Sequence, residues 1–263
     1  MNNKRISGTR EWAEVNVNCV KGCSNLCKYC YARYNAVEKF AYLTSEQWAN
    51  PQINWKAVDK KHPKYNGVVM IPTTHDIFPE TIDACITVLN NLLKVGNSVL
   101  IVSKPHLSCI KKICTELDQY KENILFRFTI GAMNDSILSY WEPNAPNFQE
   151  RFDSLVYAFE NGFKTSVSSE PMLDATGIFY LVDVLLPFIT DAIWIGKMNN
   201  IRDRVKIETK EDEMYIKAIE IGQENEKIKS MYEILKFTPK IKWKESIKEV
   251  VGLELANEAG LDI

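Results

Sequence analysis

The feature that most constrains the fold is a regular alternation of short apolar segments with longer amphipathic ones between residues 67 and 196. The short segments are rich in Val and Ile, which favours strands, and the longer ones repeat apolar residues at helical spacing. No hairpin turn separates the strands, so each helix would cross over between parallel strands. With one more strand near the N-terminus, the predicted strands are 14–18, 67–71, 98–103, 124–130, 164–169 and 192–196. The predicted helices are 32–43, 81–94, 107–117, 150–161 and 178–188.

Six such units are too few to close an eight-stranded barrel. We therefore predict an α/β fold over residues 1–202, a partial (β/α)6 TIM-like barrel with parallel strands. Residues 1–14 form a polar lead-in, and 44–66 are an insertion with little regular pattern. The tail, 203–263, is first acid-rich and then Lys-rich. We predict that it forms a C-terminal helical extension of one or two helices packed on the barrel.

A cluster of cysteines follows the first predicted strand. Cys23, Cys27 and Cys30 have the spacing C-x3-C-x2-C, and Cys19 precedes them. Soft sulfur ligands on one short loop select iron–sulfur clusters, zinc or copper(I). A disulfide between Cys27 and Cys30 would constrain the unfolded chain little, because the two are close in sequence. Three cysteines would leave one iron of a [4Fe–4S] cluster open. With Cys19 as fourth ligand, the loop would instead close a zinc site in a non-enzymatic module that recognises nucleic acid or protein.

The composition excludes several classes of protein. Charged residues make up 25% of the chain and the formal net charge is −2, so no general basic field indicates a nucleic-acid or membrane partner. Residues 1–14 lack the apolar core of a signal peptide, and no apolar stretch approaches the length of a spanning helix. Cys85, Cys109 and Cys114 fall in predicted helices, where cysteine is usually a small buried residue. We predict a soluble cytoplasmic protein in a reducing, anaerobic setting.

The residues around the cysteine cluster resemble a known signature. Tyr29 stands directly before the last cysteine and Tyr31-Ala32 directly after it, as in the radical S-adenosylmethionine (SAM) superfamily. Later motifs, within about residues 15 to 200, resemble the spore photoproduct lyase-like branch, often labelled DNA repair photolyase; the tail is not covered. These motifs are Ser103-Lys104, Phe128–Gly131, Trp141–Pro143 with Arg151, Ser169–Pro171, and Trp194–Gly196 with Asn199.

The resemblance implies a cofactor pair and its ligands. Cys23, Cys27 and Cys30 would bind three irons of a [4Fe–4S] cluster, and SAM would chelate the fourth through its amino and carboxylate groups. Tyr29 and Tyr31 would pack near the cluster and the adenine. In this superfamily an electron from the cluster cleaves SAM to methionine and a 5′-deoxyadenosyl radical, which abstracts hydrogen from the substrate. An external donor such as flavodoxin or ferredoxin would supply that electron.

Polar residues follow the predicted strands, where functional groups of parallel-strand folds collect. The resemblance makes Asp76, Lys104 and Thr129 similar to positions that contact SAM. Asp76 could accept a hydrogen bond from the ammonium or ribose of the ligand, or it could cap the next helix. Lys104 could pair with the methionine carboxylate. We interpret His75 as a loop residue, since sites of this type use cysteine.

Three further residues at strand ends have their own interpretations. Arg151 opens a helix near the mouth of the barrel, or it pairs with Glu142 or Asp153. Glu170 could accept from ribose hydroxyls, because a carboxylate buried there needs a partner. Asn199 could pair with an adenine edge or lie in a turn.

The substrate is expected to differ from that of the true lyases. In those enzymes a cysteine stands just before the Ser-Asp pair that follows the second strand, whereas Thr73–Asp76 contains none. The β-hairpin expected for insertion into damaged DNA is not evident either, so thymine-dimer reversal is not expected. The Lys-rich tail with Trp243 could bind nucleic acid through phosphate contacts and stacking, or it could be a solvated helix face.

Overall fold

The computed structural model describes residues 6–261, so the first five residues of the predicted lead-in and the last two of the tail lie outside the described residues. The strands within that range are β1 Val15–Asn16, β2 Val20–Lys21, β3 Gln52–Ile53, β4 Val69–Ile71, β5 Val99–Ser103, β6 Ile124–Thr129, β7 Lys164–Ser169, β8 Ile193–Ile195 and β9 Ile241–Trp243. Seven of them are parallel and form one sheet in the order β1-β4-β5-β6-β7-β8-β9, and β2 pairs with β3 in an antiparallel ribbon. The predicted partial barrel is confirmed.

None of the described helices combines the length and apolar character needed to span a bilayer. The α-helices are α1 Tyr31–Arg33, α2 Ser45–Ala49, α3 Trp55–Val58, α4 Ile82–Leu93, α5 Leu107–Glu116, α6 Asp135–Trp141, α7 Phe148–Glu160, α8 Ile178–Leu185, α9 Ile201–Arg204, α10 Lys210–Gly222, α11 Asn225–Leu235 and α12 Glu245–Val251.

The two faces of the sheet have different cores. Residues such as Ile101 and Phe126 pack with the apolar faces of the crossover helices in the main core. The other face joins Leu100 and Trp194 to Trp12 from the N-terminal segment, and the two indoles meet edge to face with ring centroids 5.7 Å apart. Burial of each such side chain contributes about 1.5–3 kcal/mol. The N-terminal segment therefore packs on the face of the sheet opposite the crossover helices.

The tail adds a strand that the sequence pattern did not indicate. The tail has three α-helices, α10 to α12, where one or two were predicted, and β9 pairs in parallel with β8, opposing Ile241 to Ile193 and Trp243 to Ile195. The six-strand count was one short, because this strand has three residues and Lys242 interrupts its apolar pattern. Trp243 is buried against Tyr232, and Lys244 is fully buried. Neither a solvated face nor a nucleic-acid surface therefore describes these two tail residues.

Two segments after the cysteine loop differ from the prediction: the predicted helix is less regular than expected, and the insertion that follows it contains regular secondary structure. The helix predicted over 32–43 is α-helical only through Arg33; it continues as a π-helix over Tyr34–Lys39 and ends at Phe40. The insertion 44–66 contains α2, β3 and α3. Thr44 and Gln47 form a capping box that begins α2.

Candidate active site

A large cavity lies at the carboxyl ends of the parallel strands. Its volume is about 930 Å³, which is within the range of small-molecule pockets. The structure brings all of the predicted site residues except Arg151 to its wall. Those that line it are Cys23, Cys27, Tyr29, Cys30, Tyr31, Asp76, Lys104, Thr129, Glu170 and Asn199. They come from loops that follow different strands, so the parallel topology is what brings them together.

The cysteine loop is held between two segments. On one side the Cys23 amide donates to the Trp48 carbonyl at 2.8 Å. Gly22 has a φ of +88°, and a Cβ there would lie 2.6 Å from the Trp48 oxygen, so both backbone conformation and space require glycine. On the other side the Lys28 amide donates to the Trp141 carbonyl at 2.9 Å. The insertion and the end of α6 therefore fix the path of the loop.

The three thiols lie in surroundings that disfavour a bare thiolate. Burial raises the pKa of the Cys23 thiol to about 12, and the nearby Asp76 carboxylate acts in the same direction. Burial also raises the pKa of Cys30 and raises that of Cys27 well above its ordinary value. Metal bound to these sulfurs would supply the missing positive charge and hold the thiolates deprotonated. Three soft donors on one loop facing one cavity fit an iron–sulfur cluster.

The geometry argues against the zinc interpretation. The zinc site considered above needs Cys19 as its fourth ligand, on the same ion as the other three cysteines. Cys19 does not line the cavity, and its Sγ lies 3.6 Å from Cys85 Sγ in the main core. It packs in the core and not beside the other three thiols.

Asp76 joins the cysteine loop to the end of β5. Its Oδ1 accepts from Ser103 Oγ at 2.9 Å and from the Lys104 amide at 2.7 Å, and its Oδ2 accepts from Asn25 Nδ2 at 2.7 Å. Burial alone would raise the pKa of this carboxyl, but the Lys104 ammonium and these hydrogen bonds hold it below its ordinary value. The helix-cap alternative is wrong, because α4 begins after Thr81 without a capping side chain.

Lys104 places a charged ammonium at the cavity wall. Its Nζ lies 3.8 Å from Asp76 Oδ2 and 3.9 Å from Glu142 Oε1, and 5.8 Å from the centroid of the Tyr29 ring. Burial would lower the pKa of Lys104, but nearby acidic groups, led by Cys27 and Tyr29, raise it well above its ordinary value. The ammonium is therefore available to a ligand carboxylate.

Arg151 lies behind the cavity wall and not at the mouth. It is fully buried, with Nη2 2.5 Å from Glu142 Oε2, so the ion pair considered as its alternative is the one observed. Its Nε donates to the Pro146 carbonyl at 2.7 Å, and its Nη1 donates to the Thr129 carbonyl at 3.2 Å. Glu142 also accepts a hydrogen bond from the Tyr29 hydroxyl. Glu142 was predicted as part of the Trp141–Pro143 motif and as a possible partner of Arg151, but its link to the cysteine loop was not predicted.

Glu170 was predicted to need a partner for its carboxylate, and that partner is the buried Lys244. Lys244 Nζ lies 3.4 Å from Glu170 Oε2 and 2.6 Å from Glu11 Oε1. Burial raises the pKa of Glu170, although Lys244 opposes this effect. A Cβ at Gly196 would lie 2.8 Å from Lys244 Cγ, so the glycine at the end of β8 lets the lysine approach. Lys244 was not predicted as the partner of Glu170, because the strand that precedes it, β9, was not predicted.

His75 is a structural link that no sequence signal indicated. Its Nε2 accepts from the amides of Cys19 and Val20, each at 3.3 Å, and its Nδ1 donates to the Asp76 carbonyl at 2.8 Å. The residue is thus a loop histidine, as interpreted, and it ties the start of the cysteine loop to the loop after β4. Tyr31 makes a similar link, since its hydroxyl donates to the Thr73 carbonyl.

No protein-family model matches the chain. A curated relative, the uncharacterized protein ORF301 of Acidianus two-tailed virus, is 27% identical over 173 residues, which cover 61% of this chain and 56% of the viral protein. The chain thus matches little more than half the length of this relative.

Two solved structures share the architecture. A variant of spore photoproduct lyase with bound AdoMet and dinucleoside spore photoproduct has a TM-score of 0.53 and 14% identity, covering 92% of this chain and 79% of the lyase. SuiB of Streptococcus suis bound to S-adenosylmethionine has a TM-score of 0.55 and 13% identity, covering 94% of this chain and 54% of SuiB. At these identities the likeness establishes the fold alone. The chain has the fold found in spore photoproduct lyase.

Proposed function

We propose that this chain is a radical SAM enzyme that binds a [4Fe–4S] cluster through Cys23, Cys27 and Cys30 and uses SAM to abstract hydrogen from a substrate. One observation carries the proposal: the three cysteines line a single cavity at the strand ends of a radical SAM fold. A cluster bound there would supply the electron that cleaves SAM to methionine and a 5′-deoxyadenosyl radical, the species that abstracts hydrogen.

The chain's own residues would bind and orient SAM. Lys104 offers its ammonium to the methionine carboxylate, because its neighbours keep it charged. Glu170 and Asn199 offer acceptors and donors for the ribose and the adenine. Tyr29 and Tyr31 stand on either side of Cys30 in the cavity wall, where aromatic rings can pack against the ligand.

The cavity wall also shields the cysteine ligands from solvent. Cys23 and Cys27 are only 6% and 5% exposed. A low-potential cluster is tuned by burial and needs water and oxygen excluded. We propose an external donor such as flavodoxin or ferredoxin as the electron source, in an anaerobic cytoplasm.

Charged side chains of both signs also line the cavity, which favours a polar substrate over an apolar one. They are Arg10, Lys197, Arg204, Glu245 and Glu249. Nucleic acid is one candidate of this kind.

Anaerobic reconstitution tests the proposal. The purified chain should take up about four irons, as one cubane requires, and should release 5′-deoxyadenosine from SAM when a strong reductant is added. Cys27→Ala should lose both the iron and the product. Cys114→Ala is the matched control, because Cys114 is a buried cysteine of α5 that does not line the cavity. Colourless wild-type protein that holds only zinc would overturn the proposal.

A further inference from the structure

The segment that joins α6 to α7 supports the cysteine loop along its length. The Trp141 carbonyl accepts from the Lys28 amide at 2.9 Å. The Asn144 amide donates to the Asn25 carbonyl at 3.3 Å, and the Asn144 side-chain amide donates to the Ser24 carbonyl at 2.9 Å. These contacts span the stretch between the first and last cysteines of the motif, so this segment sets the shape of the loop.

Glu142 lies within this segment and reaches three side chains from other elements. Its carboxylate accepts from the Tyr29 hydroxyl, lies 3.9 Å from Lys104 Nζ and lies 2.5 Å from Arg151 Nη2. The residue is 1% exposed and does not line the cavity. It therefore acts on a bound group through the residues that it contacts and through its charge, and not by direct contact.

The charges around Glu142 show why a carboxylate stands there. The other contacts of the buried Arg151 guanidinium are the carbonyl oxygens of Pro146 and Thr129, so Glu142 supplies the charge that balances it. Lys104 Nζ lies between Glu142 and Asp76, so both carboxylates set its position. Removing one partner from such a buried group leaves a charge that neither water nor protein compensates.

We propose that Glu142 is a positioning residue of the SAM site, which holds the Tyr29 ring and the Lys104 ammonium against the cysteine loop and places a negative charge near the cluster. This inference rests on the proposed function. A fixed negative charge disfavours the reduced, more negative cluster, so Glu142 lowers the reduction potential as well as orienting the ligand. Residues that orient direct ligands without touching the metal have this dual effect in metal sites.

The test compares reconstituted wild-type chain with Glu142→Gln. SAM binding is measured by anaerobic calorimetry, and the midpoint potential is measured by a redox titration monitored by electron paramagnetic resonance. The variant should keep about four irons, bind SAM about 10–100-fold more weakly, and have a higher midpoint potential. A residue with a merely structural role would not move the potential.

Two further variants keep the result interpretable. Glu142→Gln combined with Arg151→Met removes both charges of the pair, so stability should recover and the potential should return toward the wild-type value, while SAM affinity stays weakened; this variant also carries the SAM-binding test if the single variant does not fold. Asp191→Asn is the control, because it removes the carboxylate partner of another buried arginine: Arg127 Nη2 and Asp191 Oδ2 are 3.0 Å apart, although the Asp191 side chain is 33% exposed. It should change stability and leave the potential as in wild type.

The possible outcomes separate the two proposals. Wild-type chain that binds no iron would overturn the proposed function and this inference with it. Wild-type chain that binds the cluster and SAM, while both Glu142 variants match its SAM affinity and the single variant matches its potential, would overturn the inference alone.

Discussion

Replacing Lys244 with methionine should destabilise the fold, because it removes a buried cation that contacts three carboxylates. The fully buried ammonium lies 2.6 Å from Glu11 Oε1, 3.4 Å from Glu170 Oε2 and 3.9 Å from Glu245 Oε2, and it donates to the Gly8 carbonyl at 2.8 Å. Methionine fills similar space with an adaptable apolar chain. The carboxylates would be left without their cation, which should lower the free energy of unfolding by about 3–5 kcal/mol.

The size of this loss should depend on pH. Burial, with a hydrogen bond to Glu245, raises the pKa of Glu11 from 4.5 to about 8. Because the folded-state pKa lies above the unfolded one, the proton on Glu11 stabilises the fold fully below pH 4.5, and this contribution is lost as the pH rises to about 8. Burial would raise the pKa of Glu245, but Glu11 and Lys244 hold it below its ordinary value. Lys244 thus balances more negative charge at about pH 9 than at about pH 6, and Lys244→Met should lose more stability at the higher pH.

Urea unfolding of the reconstituted chain at the two pH values measures both effects. In thermal unfolding the same loss corresponds to a fall of about 6–20 °C for a chain of this size. Lys229→Met is the control, since Lys229 forms an exposed pair with Glu226 and its removal should leave the midpoint essentially unchanged. A Lys244→Met midpoint no lower than that of the control, or a larger loss at the lower pH, would refute the reasoning.

Three further predictions concern the site. Gly22→Ala should reduce iron content and lower the urea midpoint more than Gly162→Ala; both positions have positive φ, +88° and +79°, but only at Gly22 would the new Cβ lie 2.6 Å from the Trp48 oxygen. The strain at Gly162 alone should cost about 1–2 kcal/mol. Asp76→Asn should lower the free energy of unfolding by about 1–3 kcal/mol and weaken SAM binding in calorimetry, because the amide NH2 would face donors that now point at a carboxylate; unchanged binding would contradict this. If the substrate is nucleic acid, its affinity in fluorescence anisotropy should fall steeply with added salt, and indifference to salt would exclude it.

The residues at the strand ends could be predicted because topology alone brings them together. Asp76 and Lys104 each follow an apolar segment within a few residues, and Glu170 directly follows the predicted strand 164–169. In a sheet of parallel strands the carboxyl ends share one edge, so polar residues that follow different strands must meet. The spacing of the cysteines added the loop that faces this edge. Local pattern was therefore sufficient to find most of the cavity wall.

The residues behind that wall could not be found in this way. Glu142 and Tyr29 are 113 positions apart, and Glu245 donates its amide to Glu11 across 234 positions. Each contact depends on how whole elements pack, and nothing in the local sequence marks the partner. The short strand β9 was missed for a related reason, because three residues are too few to show a period.

The two buried charge clusters explain why the tail belongs to the site. One cluster, around Glu142, holds the cysteine loop, and the other, around Lys244, holds Glu170 on the opposite wall. The composition changes near residue 202, yet Lys244 lies beyond that point and supplies the cation that Glu170 requires. Its position follows from β9, whose pairing with β8 directs the Lys244 amide to the Ile195 carbonyl. Removing the tail would therefore leave a partly buried carboxylate without its cation at the cavity wall, so the seventh strand builds the site as well as the sheet.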